Sequence, residues 1–395
     1  MERRKFLKNS VLASSLFFVP NFVRAFEEVD SKKLGYKRLV IIQLSGGNDG
    51  LNSVIPYRND LYFNARPSLA IKSDFIKLND DLALHPSLQP LKSLYDNGEL
   101  SILNNVGYPN PVRSHFRSMD IWHTASSSDT YLQSGWIGRY LDKHAKNPYN
   151  AIELDESLSL ALKGNHNTGI ATNDYKTLYR TARDPYFKKA LSHYDDEHLS
   201  EHNLGYLYKS MISAKSSANY IYEETDVNTS QVDYPQNNFA KQLKNTAQFI
   251  NSGLDTKVFY NALDGFDTHA NQGNVQKRLL STYAESLYAF VKDLKKSGNF
   301  DDTLILTFSE FGRRVKQNAA NGTDHGSANN IYIIGKNLNK PGIYNPLASL
   351  SNLDDNGDLK FDIDFRQVYA TILENWLGAD TKGIISGNPQ KLNFI

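Results

Sequence analysis

The sequence predicts an α/β protein: a mostly parallel central sheet covered by helices on both faces. Two observations carry this expectation. Short runs of continuous rather than alternating apolar residues recur at 38–44, 100–103, 257–263, 303–308 and 331–334, and long amphipathic stretches such as 275–296 and 365–377 lie between them. Strands that are apolar on both sides belong to sheets buried on both sides, which is the parallel arrangement. A third observation concerns function. Most of these runs end in, or follow, a polar and glycine-bearing segment, and open parallel sheets bind ligands beyond the carboxyl ends of their strands.

The chain opens with Arg3, Arg4 and Lys5, followed by an apolar stretch at 11–19 that Ser14 and Ser15 interrupt and Pro20 ends. That layout predicts a twin-arginine signal peptide over residues 1–25, cut after Ala25, and a folded protein handed to the twin-arginine translocase for the periplasm or beyond. The apolar stretch is about half of the roughly 20 residues that a membrane-spanning helix needs, so no stable membrane span is expected after cleavage. Cleavage removes five bases (Arg3, Arg4, Lys5, Lys8, Arg24) and one acid (Glu2) from totals of 44 and 43, leaving a net charge of −3. Such a balance argues against nucleic acid as a partner. The absence of cysteine excludes disulfides, iron–sulfur clusters and thiolate zinc sites.

The first strand, 38–44, runs into Ser45-Gly-Gly-Asn-Asp-Gly50. The second, 100–103, leads into a proline-rich turn and a helix beginning at Ser114. Residues 150–236 are polar and rich in Tyr, His and Ser, and read as a largely helical insertion after a short strand at 151–154. The strand 257–263 ends at Asp264-Gly-Phe-Asp-Thr-His269, and 303–308 ends at Ser309-Glu-Phe-Gly-Arg313. Gly322-Thr-Asp-His-Gly326 precedes the last strand. In 354–363 the oxygen ligands lack the alternate spacing of a calcium loop, so Asn356-Gly357 reads as a hairpin turn.

Candidate functional residues collect at these strand ends: Asp49, Asp267, His269, Glu310 and His325. Carboxylates and imidazoles together form a nitrogen and oxygen site suited to Zn²⁺, Mn²⁺ or Fe²⁺, one ion or two. Each has an ordinary alternative: Asp49 as a turn residue, Asp267 as a helix cap, Glu310 in an ion pair with Arg313 or Arg314. Ser114 at a helix start is a candidate nucleophile or simply an N-cap, and His115 a metal or substrate contact. His123 falls on the helix face of Met119 and Trp122, where a core histidine would sit. Arg113, Arg117 and Arg313 are cations whose planar forks match an anionic substrate.

Ser-Gly-Gly-Asn-Asp-Gly-Leu-Asn (45–52), Ser-His-Phe-Arg-Ser-Met-Asp-Ile-Trp-His-Thr-Ala (114–125), Phe-Asp-Thr-His (266–269), Ser-Glu-Phe-Gly-Arg (309–313) and Gly-Thr-Asp-His-Gly (322–326), with the twin-arginine start, resemble the exported bacterial family called domain of unknown function 1501. That family resembles the alkaline phosphatase and sulfatase superfamily. The resemblance implies an alkaline-phosphatase-like three-layer sandwich that cleaves phosphate or sulfate esters with divalent metals. It implies Ser114 as nucleophile, Asp267, His269 and His325 as ligands of one metal, and Asp49 with Glu310 at a second, weaker position. Phe311 stands where a histidine partner of that second position would be. The expected partner is a small anionic ester or a sulfated or phosphorylated glycan. The rival expectation is a non-catalytic exported binding protein on the same fold, which Phe311 favours.

Overall fold

Residues 38–44 form the central strand because its five aliphatic side chains find apolar neighbours on both faces of the sheet. All seven are buried. Val40, Ile42 and Leu44 enter one core cluster, and Leu39 and Ile41 enter another on the opposite face. The computed structural model describes residues 36–145, 147–192, 203–225, 230 and 232–395. The signal peptide expected at 1–25 lies outside the described residues.

Among the described residues the strands are, in chain order, β1 (Arg38–Leu44), β2 (Val54–Ile55), β3 (Ile76–Lys77), β4 (Ala83–Leu84), β5 (Leu100–Gly107), β6 (Ala151–Glu153), β7 (Ile170–Ala171), β8 (Val258–Leu263), β9 (Thr303–Phe308), β10 (Asn329–Ile334), β11 (Gly342–Ile343) and β12 (Ile363–Asp364). The main sheet runs β11-β5-β10-β9-β1-β8-β6-β7, with β12 also paired to β5; β2, β4 and β3 form a small separate sheet. In the main sheet only β10 is antiparallel to its neighbours, β5 and β9. Every other pairing in it is parallel. The reversed direction of β10 matters for function. It brings the segment that precedes β10 to the same edge as the segments that follow β1, β5, β8 and β9.

Helices cover both faces. Gln89–Asp96, Asn238–Asn251 and Gln272–Ser297 pack on one side through Leu91, Leu243, Phe249, Tyr283 and Leu287. On the other, His115–Thr124, Trp136–His144 and Phe365–Thr371 contribute Ile121, Trp122, Ile137, Leu141, Val368 and Tyr369. Each such side chain, removed from water, is worth about 1.5–3 kcal/mol before entropy is charged against it. The long helix Gln272–Ser297 stops where Gly298 turns to φ +75° and its N–H returns to the carbonyls of Leu294 and Lys295. Lys37–Ile395 forms one compact unit.

The segment 150–236 differs from a purely helical insertion. Before its helices Tyr175–Arg183, Pro185–Ser192 and Asn203–Thr225, it adds β6 and β7 to the edge of the main sheet. β6 is the short strand expected at 151–154, whereas β7, with two residues, is too short to show a period although Ile170 is buried. The Asn356-Gly357 turn forms, with Gly357 at φ +79° and its N–H bonded to the Asp354 carbonyl. It closes a loop rather than a hairpin, because Asp354 and Asp358 are drawn to Arg113 instead of into paired strands. No helix among the described residues is long and apolar enough to cross a membrane.

Candidate metal centre

The loops at the shared sheet edge are laced together by backbone contacts that specific residues permit. Gly46 sits at φ +113°, and a Cβ there would lie 2.5 Å from the backbone nitrogen of Asp267. Only glycine lets the loop after β1 meet the loop after β8 this closely. Ser309, at the end of β9, donates its hydroxyl to the Leu44 carbonyl (2.6 Å) and accepts from the N–H of Asn48 (2.9 Å). Arg313 is buried and donates to the carbonyls of Gly46, Gly47, Phe266 and Thr323 and to Asp267 Oδ1. One guanidinium thus fixes the loops after β1, β8 and β9 and the segment before β10.

Asp267 Oδ1 is the focus of the edge. Around it stand Arg313 Nη2 at 2.8 Å, His269 Nδ1 at 2.9 Å, His325 Nε2 at 3.1 Å and His115 Nε2 at 3.3 Å. Partial burial disfavours its charge, but the hydrogen bond from Arg313 and the charge of that guanidinium outweigh it and hold the carboxyl well below the usual carboxylate range. Ligand atoms of His115, Asp267 and His325 all lie within 4.8 Å of one another. His269 flanks this trio with its ring 4.6 Å from that of His325. Burial, and secondarily the charge of Arg313, push its pKa down against the pull of Asp267.

The trio fits a divalent cation, and the reason lies in the far nitrogens of the two rings. His325 Nδ1 lies 2.7 Å from the Arg113 carbonyl oxygen, which can only accept, so Nδ1 carries the hydrogen. His115 Nδ1 lies 2.9 Å from Glu310 Oε1, a buried carboxylate oxygen that also accepts the Gly46 N–H at 2.8 Å. In neutral rings both Nε2 lone pairs therefore face the Asp267 carboxylate. His115 Nε2 is buried and has no hydrogen-bond partner. Three convergent electron-pair donors call for a cation, and imidazoles tied at Nδ1 to a carboxylate and a carbonyl are oriented as metal-bound histidines are. In the absence of a metal a proton serves: the Glu310 hydrogen bond raises the pKa of His115 despite its burial.

The other predicted residues are placed as follows. Asp49 is buried and caps the short helix Gly50–Ser53, and its Oδ2 receives Arg66 Nη1 and Gln272 Nε2, each at 2.5 Å. Its carboxylate serves a structural ion pair and is outside the trio. Glu310 orients His115 and is also outside it. Ser114 is exposed at the N-cap of His115–Thr124 and makes no side-chain capping bond. The three arginines assigned to substrate are otherwise engaged. Arg113 pairs with Asp354 and Asp358, Arg117 donates to the carbonyls of Ser128 and Thr130 over the Tyr131 ring, and the Arg313 side chain is 0% exposed. Each guanidinium already bonds protein acceptors, and that of Arg313 is fully buried. His123 is a core histidine, hydrogen-bonded to Tyr260 and Gln43, and burial lowers its pKa to about 4. Arg66 and Gln272 carry no motif in the sequence; Arg66 joins Asp49 only through tertiary closure.

Fold and site together define an α/β protein with a histidine–carboxylate centre at the edge of a mostly parallel sheet. The chain belongs to the family described as Protein of unknown function (DUF1501), matched over residues 36–385. No curated protein matches it in sequence. Among solved structures it is similar to the lipoteichoic acid synthase LtaP from Listeria monocytogenes, at 11% identity and a TM-score of 0.43, covering 92% of this chain and 79% of that one. The phosphonate monoester hydrolase SpPMH from Silicibacter pomeroyi is similar at 9% identity and a TM-score of 0.41, covering 91% and 76%. A zinc complex of the C-terminal periplasmic domain of EcEptC from Escherichia coli follows at 11% and 0.35, covering 76% and 73%.

Proposed function

We propose that this protein is an exported metal-dependent hydrolase of phosphate or sulfate esters. The observation that carries the reading is the convergence of His115 Nε2, His325 Nε2 and the Asp267 carboxylate, with both rings locked at Nδ1. A divalent cation held there supplies a Lewis acid that offsets charge developing on the ester oxygens. The chain's own groups do the rest. Glu310 and the Arg113 carbonyl fix the ring tautomers, and Arg313 holds the Asp267 carboxylate in place while binding the loops around it. The Ser114 hydroxyl, exposed and free of any capping bond, is the nucleophile at the start of a ten-residue helix, where backbone N–H groups favour an anion. The twin-arginine start at Arg3 and Arg4 fits a protein that acquires its ion before export.

One observation favours a second reading, an exported binding protein without turnover: Arg113, Arg117 and Arg313 each already bond internal acceptors. Elemental mass spectrometry on natively exported protein, beside His325→Ala, followed by assays on aryl phosphate and aryl sulfate esters, separates the two. A transition metal that is lost in the variant, together with metal-dependent ester cleavage, supports the hydrolase. Metal without cleavage leaves the binding protein, and no metal in either chain removes the mechanism.

A further inference from the structure

Of the two acidic residues that a second ion would need, Asp49 is already satisfied by groups that a metal would have to evict, and Glu310 is committed through one of its two oxygens. Asp49 Oδ2 is held by Arg66 and Gln272, and the orientation of Gln272 is set in turn by Thr323, whose hydroxyl donates to Gln272 Oε1 at 2.6 Å. Arg66 is 0% exposed and locked on all sides, donating also to the carbonyls of Val315 and Arg314 and to Asn52 Oδ1. Evicting it would strand a guanidinium with no route to water, at a cost of several kcal/mol. Glu310 Oε1 takes both the Gly46 N–H and His115 Nδ1, and the Ser309 hydroxyl lies 3.4 Å from Oε2. Beside it, where a further ligand would have to enter, the buried ring of Phe311 packs against His115 and His325 with centroids 4.8 and 4.7 Å away. Its ring edge seats on Gly47, where a Cβ would come within 2.4 Å of it.

We infer that the centre is mononuclear: Arg66 is a tethered cation that takes the charge of Asp49 in place of a second metal, and Phe311 closes the space beside Glu310. The inference rests on the metal-site reading above and adds its stoichiometry. It makes Asp49 a positioning residue for the glycine loop rather than a ligand.

The test is titration of metal-free protein with Mn²⁺, read by calorimetry and by electron paramagnetic resonance, on the parent chain and on Asp49→Asn. One equivalent is expected, with the spectrum of an isolated ion, and with affinity in Asp49→Asn within about threefold of the parent, because an amide oxygen can still accept from Arg66. Two equivalents, or the spectrum of an exchange-coupled pair, overturn the mononuclear centre while leaving the metal-site reading intact. Loss of the ion in a folded Asp49→Asn protein makes Asp49 a ligand and overturns its assignment to Arg66. No Mn²⁺ bound to the parent overturns both. The parent's stoichiometry and spectrum decide the matter even where the variant fails to fold.

Discussion

Asp49 and Asp267 follow neighbouring strands, β1 and β8, at one edge of one sheet, yet their surroundings are opposites. Asp49 has a side chain 1% exposed and faces a guanidinium that is itself sealed. Asp267 has a side chain 49% exposed and faces, besides the sealed Arg313 guanidinium at 2.8 Å, three imidazoles whose charge depends on whether a proton or a metal is present. A carboxylate whose only counter-charge among the described residues is a permanent, sealed one is part of the scaffold. One surrounded by groups that can give up their protons is a place where a cation can be exchanged. The difference between structure and site therefore lies less in the acid than in what compensates it.

The largest effect that can break this contrast is removal of the permanent counter-charge. Arg66→Ala leaves Asp49 buried beside two amides, and breaking one half of a buried pair costs about 3–5 kcal/mol. Urea denaturation should register a loss of that size. A loss below about 1 kcal/mol would mean that Asp49 reaches water or another cation, and the sealed half of the comparison would fail.

A third carboxylate sharpens the point, because it is buried with no cation paired to it among the described residues. Glu153, at the end of β6, accepts the Ser159 N–H at 2.7 Å. Burial pushes its pKa from 4.5 up to about 7, against the opposing pull of the Ser159 hydrogen bonds. Between those values the folded protein keeps a proton that the unfolded chain releases, so this group costs stability as pH rises across that window. Glu153→Gln keeps the acceptor and removes the titration. Relative to the parent, the variant should gain about 1.4 kcal/mol per pH unit over the window, on the order of 3 kcal/mol in all. Thermal melts of both proteins at pH 4.5 and 7 measure the difference, and parallel curves would show that Glu153 is solvated.

How much of this was legible in the sequence follows from the same physics. The strands around 38–44, 257–263 and 303–308 announce themselves because burial on both faces demands unbroken apolar runs. The reversal of β10 leaves no such mark, and β7, unlike the strand expected at 151–154, is too short to show itself. At the site, Asp267, His269 and His325 are readable from their place beside strand ends. The role of His115 depends on a ring orientation that only Glu310 and the folded edge impose. Arg66 is least legible of all: it lies in an irregular segment before a proline, 17 residues from Asp49. Arg113, Arg117 and Arg313 look from sequence like anion-binding cations. Their acceptors are mostly backbone carbonyls and a distant aspartate pair, which no local pattern reveals.

The smallest expected effect concerns the open half of the contrast and asks whether Glu310 acts through His115. Glu310→Gln preserves shape and an acceptor oxygen but removes the negative charge behind the ring. A carboxylate in that position makes the imidazole a better donor to a metal and fixes its tautomer, and loss of such a partner typically lowers metal affinity about 10–100-fold. The centre should still take one equivalent. A purely structural Glu310 would alter melting and leave the ring's titration alone, so the second readout is nuclear magnetic resonance of the metal-free protein across pH. Glu310 is the principal cause of the raised pKa of His115, and the variant should let that value fall back toward the ordinary histidine range. Weaker metal binding with an unmoved His115 titration would assign the loss to altered packing around Phe311. Both changes together would tie the buried carboxylate to the exposed cation site through a single ring.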